Sequence, residues 1–258
     1  MIAPGFAGLE AQMWLWLLAM IRPGAAFLAA PIFGAAAVPV QIRIILSLAV
    51  GMAALNSTTF VIPPQGIASI HGIGFIAAEV ITGLSLGFAL QIGYSAAFIA
   101  GETISNAMGL GFSSMMDPLS GQPTPVVGRF LSIIATFLLL SMDGHLLLIR
   151  YIVDSYQALP PGHLMPASAF ESIVSFGGNM FSAAVIIALP VTFTLILVQL
   201  VMAMLARTAP SLNLFAVGLP ATLLAGLLLL ALAAPVMGEA ITAALQDSLD
   251  LSAMLSGN

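Results

Sequence analysis

The chain is 258 residues long, 60% hydrophobic and only 6% charged, where a soluble domain is about a quarter charged. Such a surface is solvated by lipid or by other apolar protein, not by water. All five cations are arginines, ten acids bring the formal net charge to −5, and there is no cysteine. That excludes a basic nucleic-acid-binding patch, disulfides, thiolate catalysis and cysteine-held metal or iron–sulfur centres.

Divided by the roughly 20 residues a spanning helix needs, the chain holds about six elements and little else. The first apolar segment covers 13–32, with Arg22-Pro23-Gly24 placing a kink inside it, because proline removes a ladder hydrogen bond and clashes with the preceding turn. The residues before it lack the basic region of a cleavable signal, so this segment reads as the first helix of the mature protein. The second covers 42–62 and is expected to stop at Pro63-Pro64. The third covers 72–101 and carries Glu79. An irregular loop, 109–125, separates it from the fourth, 126–149. A more polar connection follows over 150–178. The fifth segment covers 181–206, interrupted by Pro190, and the sixth 212–237, interrupted by Pro220. All six are too long for strands, and barrel-type alternation is missing, so the fold class is all-α. In the acidic tail, 239–258, Ile241, Ala244, Leu245 and Leu249 share one helical face while Asp247 and Asp250 lie elsewhere. This is either a short amphipathic helix docking on a partner or a frayed terminus. Arg43, Arg129 and Arg207 fall in or beside the odd connections and Arg150 beside the fourth, which puts the odd connections toward the cytoplasm.

Enzyme signatures are missing: there is no HExxH, no GxSxG and no Walker A motif. His71, His145 and His163 lack ligand spacing, so no metal is expected. His145, in MDGHLLL, either pairs with Asp143 or marks a polar helix break. Ionisable residues inside apolar segments are functional candidates. Glu79 and Glu102 are the two, as members of an ion or proton relay or as structural hydrogen-bonding groups. Their sparseness favours the structural role. Gly83 and Gly87 form a GxxxG pattern that Ala97 and Gly101 extend, the spacing with which helices approach closely where hydrophobicity gives no drive.

The loop GLGFSSMMDPLSGQPTP is unusual for its apolar content. Phe112, Met115 and Met116 suit a hydrated turn poorly. Gly109, Gly111 and Gly121 open backbone conformations barred to other residues, and Asp117-Pro118 favours a turn. Methionine fills irregular gaps reversibly. The loop is either a pore-sitting plug or a re-entrant connector.

The runs GETISNAMGLGFSSMMDPLSGQPTP, MDGHLLLIR and ARTAPSLNLFAVGLP, in this order, resemble the FliR/SctT family of type III secretion. The resemblance covers nearly the whole chain. It implies a non-catalytic subunit without cofactor, a single domain over 1–258 whose 1–150 half is FliP-like and whose 151–258 half is FliQ-like. It implies a membrane-associated bundle of about six long, kinked helices arranged as hairpins and stable mainly within a hetero-oligomeric export-gate cone, with fewer helices crossing lipid than hydropathy alone suggests. FliP and FliQ would complete the cone, with FlhB beside it and FlhA beneath, in the bacterial inner membrane at the flagellar basal body. Unfolded flagellar export substrates would pass through. The family's plug maps to Gly109, Phe112, Met115, Met116, Asp117 and Pro118, and its Arg-Pro-Asn-Phe-Gly-Pro order includes Arg207 and Asn213. Apolar, flexible side chains would close such a pore by excluding water. The blocks lean toward the flagellar system over virulence-type secretion. The rival from another class is a small-solute transporter coupled through Glu79 and Asp143.

Overall fold

The computed structural model describes residues 7–56, 58, 60, 67, 69–111, 126–208 and 214–257. Within them the chain forms eight helices: α1 (Ala7–Ala19), α2 (Ile21–Ala29), α3 (Val40–Ala54), α4 (Ile70–Ala107), α5 (Val126–Ser141), α6 (Gly144–Ala158), α7 (Ala167–Thr208) and α8 (Leu214–Ser256). No strand occurs among the described residues.

The element boundaries depart from the expected segments for local reasons. The first segment breaks at Met20, not at Pro23. Pro23 is the third residue of α2, where an amide has no partner inside its own helix and a proline costs nothing. α3 ends at Ala54, well short of Pro63, and the expected end at 61–64 lies outside the described residues. The sequence after it is Asn56-Ser57-Thr58-Thr59, whose side chains compete for backbone partners and whose threonines are stiff at χ1. At ~1.5 Å per residue, α3 is about 22 Å long and falls short of a bilayer core of ~30 Å. The fourth segment is two helices, broken where Asp143 takes a left-handed conformation, φ +55°. The second of them continues to Ala158, and α7 starts at Ala167. The polar connection over 150–178 is therefore mostly helix.

α7 runs through Pro190 and α8 through Pro220 and Pro235. Around Pro190, side-chain hydroxyls bond freed or shared carbonyls: Thr194 Oγ1 donates to the Pro190 carbonyl and Thr192 Oγ1 to that of Ala188, both at 2.9 Å. Four stretches are long and apolar enough to cross a membrane: 12–29, α4, α7 and 217–256 of α8. α5 and α6 together make a possible fifth. The six spans that hydropathy suggests become four or five.

The chain divides into two compact units. The first comprises 1–92, 139–177 and 246–258. Its core includes Phe27, Leu86, Leu148, Ile152 and Tyr156, all fully buried. The acidic tail belongs here in part. It is neither a separate docking helix nor a frayed end but the last turns of α8: Leu249 and Leu255 are buried, and Ser252 Oγ donates to the Leu86 carbonyl at 3.4 Å. The face that the spacing picked out is real, and its partner is the chain itself. The second unit comprises 93–138 and 178–245, with Ile104, Met108, Leu131, Ile187 and Leu195 in its core. Phe181, Val185, Ile186, Leu189 and Phe193 of α7 are each more than half exposed. Only 22% of the most apolar part of α7 and 11% of that of α8 is buried within the chain. Surfaces this greasy require lipid or protein around them.

Candidate functional site

The most concentrated polar chemistry lies in the first unit. Arg22 and Glu79 are both fully buried and pair through two parallel hydrogen bonds, Nε to Oε2 at 3.0 Å and Nη2 to Oε1 at 2.9 Å. Such a fork-on-fork pair is the strongest geometry available to these groups. Both groups make further hydrogen bonds. Arg22 Nη1 donates to Ser155 Oγ at 3.0 Å and Nη2 to the Leu159 carbonyl at 3.1 Å. The Gly162 amide donates to Glu79 Oε1 at 2.9 Å. The guanidinium also lies 3.9 Å from the ring centre of Tyr156, whose hydroxyl donates to the Ala19 carbonyl at 3.1 Å. A cation over a desolvated aromatic face adds about 2 kcal/mol. One ion pair thus joins α2, α4, α6 and the turn after α6. Gly162 takes φ +81° there, which brings its amide to the carboxylate without steric cost.

Gly83 and Gly87 continue the Glu79 stripe of α4 one and two turns on. A Cβ on Gly83 would run into the Arg22 carbonyl oxygen and lie 2.8 Å from Ala25 Cβ; one on Gly87 would run into the Ala26 carbonyl oxygen. The stripe is where the backbones of α2 and α4 touch.

The second unit holds the described edge of the loop. α4 ends with Gly109 at φ +83°. The Leu110 amide donates to the Ser105 carbonyl and the Gly109 amide to that of Asn106, both at 3.1 Å. This is a Schellman cap, in which a left-handed glycine satisfies the last carbonyls of the helix. Two further side chains grip the end of α4: Gln199 Nε2 donates to the Ala107 carbonyl at 2.7 Å and Thr222 Oγ1 to that of Met108 at 3.2 Å. The Met108 side chain is buried over Gly226. The chain's departure into the loop is therefore fixed by α4, α7 and α8 together. Replacing Gly109 with alanine is expected to cost about 1–2 kcal/mol from the left-handed backbone alone. The check is faster hydrogen exchange at the Met108 and Leu110 amides, with amides mid-way along α4 unchanged. Phe112, Met115, Met116, Asp117 and Pro118 lie outside the described residues, as does Asn213.

Glu102 is half-buried in the second unit, over the crossing of Gly101 with Gly128, and is treated further below. Arg207 is exposed in the last turn of α7. Asp143 is exposed at the break before α6, and His145 Nδ1 is buried with no hydrogen-bond partner among the described residues. Among the described residues no group of three or more histidines and carboxylates is placed to hold a metal. The sequence reading did not single out Arg22, Ser155 or Tyr156, nor Gln199 and Thr222. An arginine inside an apolar run was the available signal for the first.

Long apolar helices around a buried, multiply hydrogen-bonded ion pair define a multi-helix membrane protein. Residues 13–248 match the family model described as bacterial export proteins, family 1. The flagellar biosynthetic protein FliR of Pectobacterium carotovorum subsp. carotovorum is 34% identical over 209 residues, 81% of this chain and 79% of that protein. That of Escherichia coli strain K12 is 31% identical over 233 residues, 88% and 85% of the two chains. That of Bacillus subtilis strain 168 is 34% identical over 209 residues, 80% of each. The chain belongs to the FliR family of bacterial export proteins.

Proposed function

We propose that the chain is a non-catalytic subunit of the flagellar protein export gate, forming with FliP and FliQ the channel for unfolded export substrates in the inner membrane at the basal body. FlhB and FlhA are the further neighbours. The observation that carries this reading is the family match over 13–248, with relatives named as flagellar biosynthetic proteins. The exposed apolar faces of α7 and α8 suit a subunit that completes its packing against others.

Within the gate, the 109–125 loop is the plug and belongs to the FliP-like half, 1–150, while 151–258 is the FliQ-like half. Closing a pore to ions while admitting a polypeptide calls for apolar, adaptable side chains that exclude water and bind nothing strongly. Phe112, Met115 and Met116 supply them. A plug must also hinge from a fixed point, and the capped end of α4 is such a point. Opening is a shift between two packed states biased by cargo or neighbouring subunits.

Deleting part of Gly111–Gly121 is the test. The complex is expected to assemble, while the inner membrane becomes leaky to small solutes, read as dye or ion flux in cells expressing the variant. Assembly with neither leak nor altered export would sink the plug.

A further inference from the structure

Glu102 sits where α4 and α5 cross most closely. A Cβ on Gly101 would lie 2.5 Å from Gly128 Cα and 2.7 Å from the Val127 carbonyl oxygen, so Gly101 is needed for the crossing. The same seam is closed further along by Tyr94, whose hydroxyl donates to the Ser132 carbonyl at 3.1 Å and lies 3.1 Å from Thr136 Oγ1. Glu102 is laid over Gly128 together with Phe98: the ideal Cβ position there is 3.2 Å from Glu102 Oε1 and from the ring. That oxygen is buried and accepts no hydrogen bond among the described residues. In its counterpart Glu79, on the same helix, both oxygens accept hydrogen bonds, three in all.

A carboxylate within a membrane-crossing helix does not stay charged without a partner. This chain has little to offer. It has no lysine, and ten acids outnumber five arginines. Arg22 is committed to Glu79, Arg150 pairs with Asp154, and Arg43 donates to the Ala35 carbonyl. Arg129 follows Gly128 in sequence, but its side chain is exposed and forms no ion pair with Glu102 among the described residues. The negative surplus is built in, and here it is fixed in place by two glycines and an aromatic ring.

We propose that Glu102 is the acceptor for a lysine or arginine side chain presented by a neighbouring membrane subunit, a positioning contact that sets how that subunit seats on the α4–α5 seam. The inference rests on the reading that the chain works inside a multi-subunit gate. A cation entering from outside would reach the second carboxylate oxygen while Gly128 and Phe98 hold the first. Because Glu102 Oε1 accepts no hydrogen bond among the described residues, neutralising the carboxylate breaks no described hydrogen bond at that oxygen. It should weaken assembly and leave the fold alone.

The test is purification of the assembled complex from membranes in mild detergent, with subunits counted per copy of this chain by mass spectrometry. Glu102→Gln is expected to lose one neighbouring subunit at least tenfold. Glu102→Asp retains it, as does Arg129→Gln. Comparing Glu102→Asp with Glu102→Asn repeats the charge comparison at matched size should the longer amide disturb the chain. Full retention by both amide variants overturns the inference while leaving the gate reading intact. Equal loss in Arg129→Gln also overturns it, by assigning the charge partner to this chain. A wild-type chain that elutes alone sinks both.

Discussion

An Arg22→Ala chain is expected to lose about 3–5 kcal/mol of stability, the usual consequence of stranding one member of a buried ion pair. The loss follows from Glu79, which stays in place with one backbone amide, that of Gly162, as its remaining donor. Ser155 Oγ and the Leu159 carbonyl lose their shared donor in the same step. Glu79→Ala should fall in the same range, with the guanidinium now stranded. Glu79→Gln should be milder, because an amide oxygen still accepts from Arg22 Nε or Nη2. The double variant Arg22→Met, Glu79→Leu should recover much of the loss, since an apolar pair of similar volume has no desolvation cost to offset. Thermal unfolding of the purified complex, with the membrane level of the chain as a second readout, ranks the four. Simple additivity of the two single losses would show that the pair does not act as a unit. The same series separates the gate from a transporter coupled through Glu79. A transporter would lose flux in Glu79→Gln with its stability and assembly unchanged.

The helices were legible because their signal is redundant. Twenty consecutive apolar residues specify a helix whatever the neighbours do, and α4, α5, α7 and α8 sit where such runs sit. Their ends were not, because ends are decided by a few polar atoms. α3 stops where asparagine and threonine compete for its carbonyls, and the α5–α6 break turns on Asp143 taking a left-handed conformation. Pro190 and Pro220 read as interruptions, yet the helices pass through them, with threonine hydroxyls bonded to carbonyls beside each proline. The tail shows a different limit. Its apolar face was visible at 241–249, but a periodic face does not say what it will meet, and here it is buried within the chain itself.

The polar site divides in the same way. Glu79 stood out because a lone acid in an apolar helix is conspicuous. Arg22 did not, since beside Pro23-Gly24 it read as part of a kink. Its partner is 57 residues away, and nothing in either local run points to the other. Gly109 was placed in the loop for its backbone freedom; α4 runs on past 101 to Ala107, and Gly109 uses that freedom to cap it. The side chains that hold the cap, Gln199 and Thr222, come from helices far along the sequence and carry no local mark of the task.

Substitution within a single helix tests whether Gly83 and Gly87 are packing glycines. Gly83→Ala forces its new methyl into the Arg22 carbonyl and against Ala25, so α2 must move away from α4. Overpacking of this kind costs about 1–3 kcal/mol, and Gly83→Leu should exceed that range because backbone, not a flexible side chain, blocks it. Gly74 lies on the same helix with nothing within 4 Å of an ideal Cβ position. There, alanine should be neutral or stabilise α4 by up to about 1 kcal/mol through reduced unfolded-state freedom. The opposite signs at Gly74 and Gly83 separate a packing glycine from an incidental one. A further consequence follows from the shared stripe: moving α2 also draws Arg22 off Glu79. Gly83→Ala and Glu79→Gln should therefore be less than additive when combined, by more than the ~0.5 kcal/mol expected of independent sites. Additive losses in a melting series would mean that the glycine face and the ion pair hold α2 separately. Subadditive ones would make them a single clamp, with close backbone approach as the condition that lets a buried charge pair form at membrane depth.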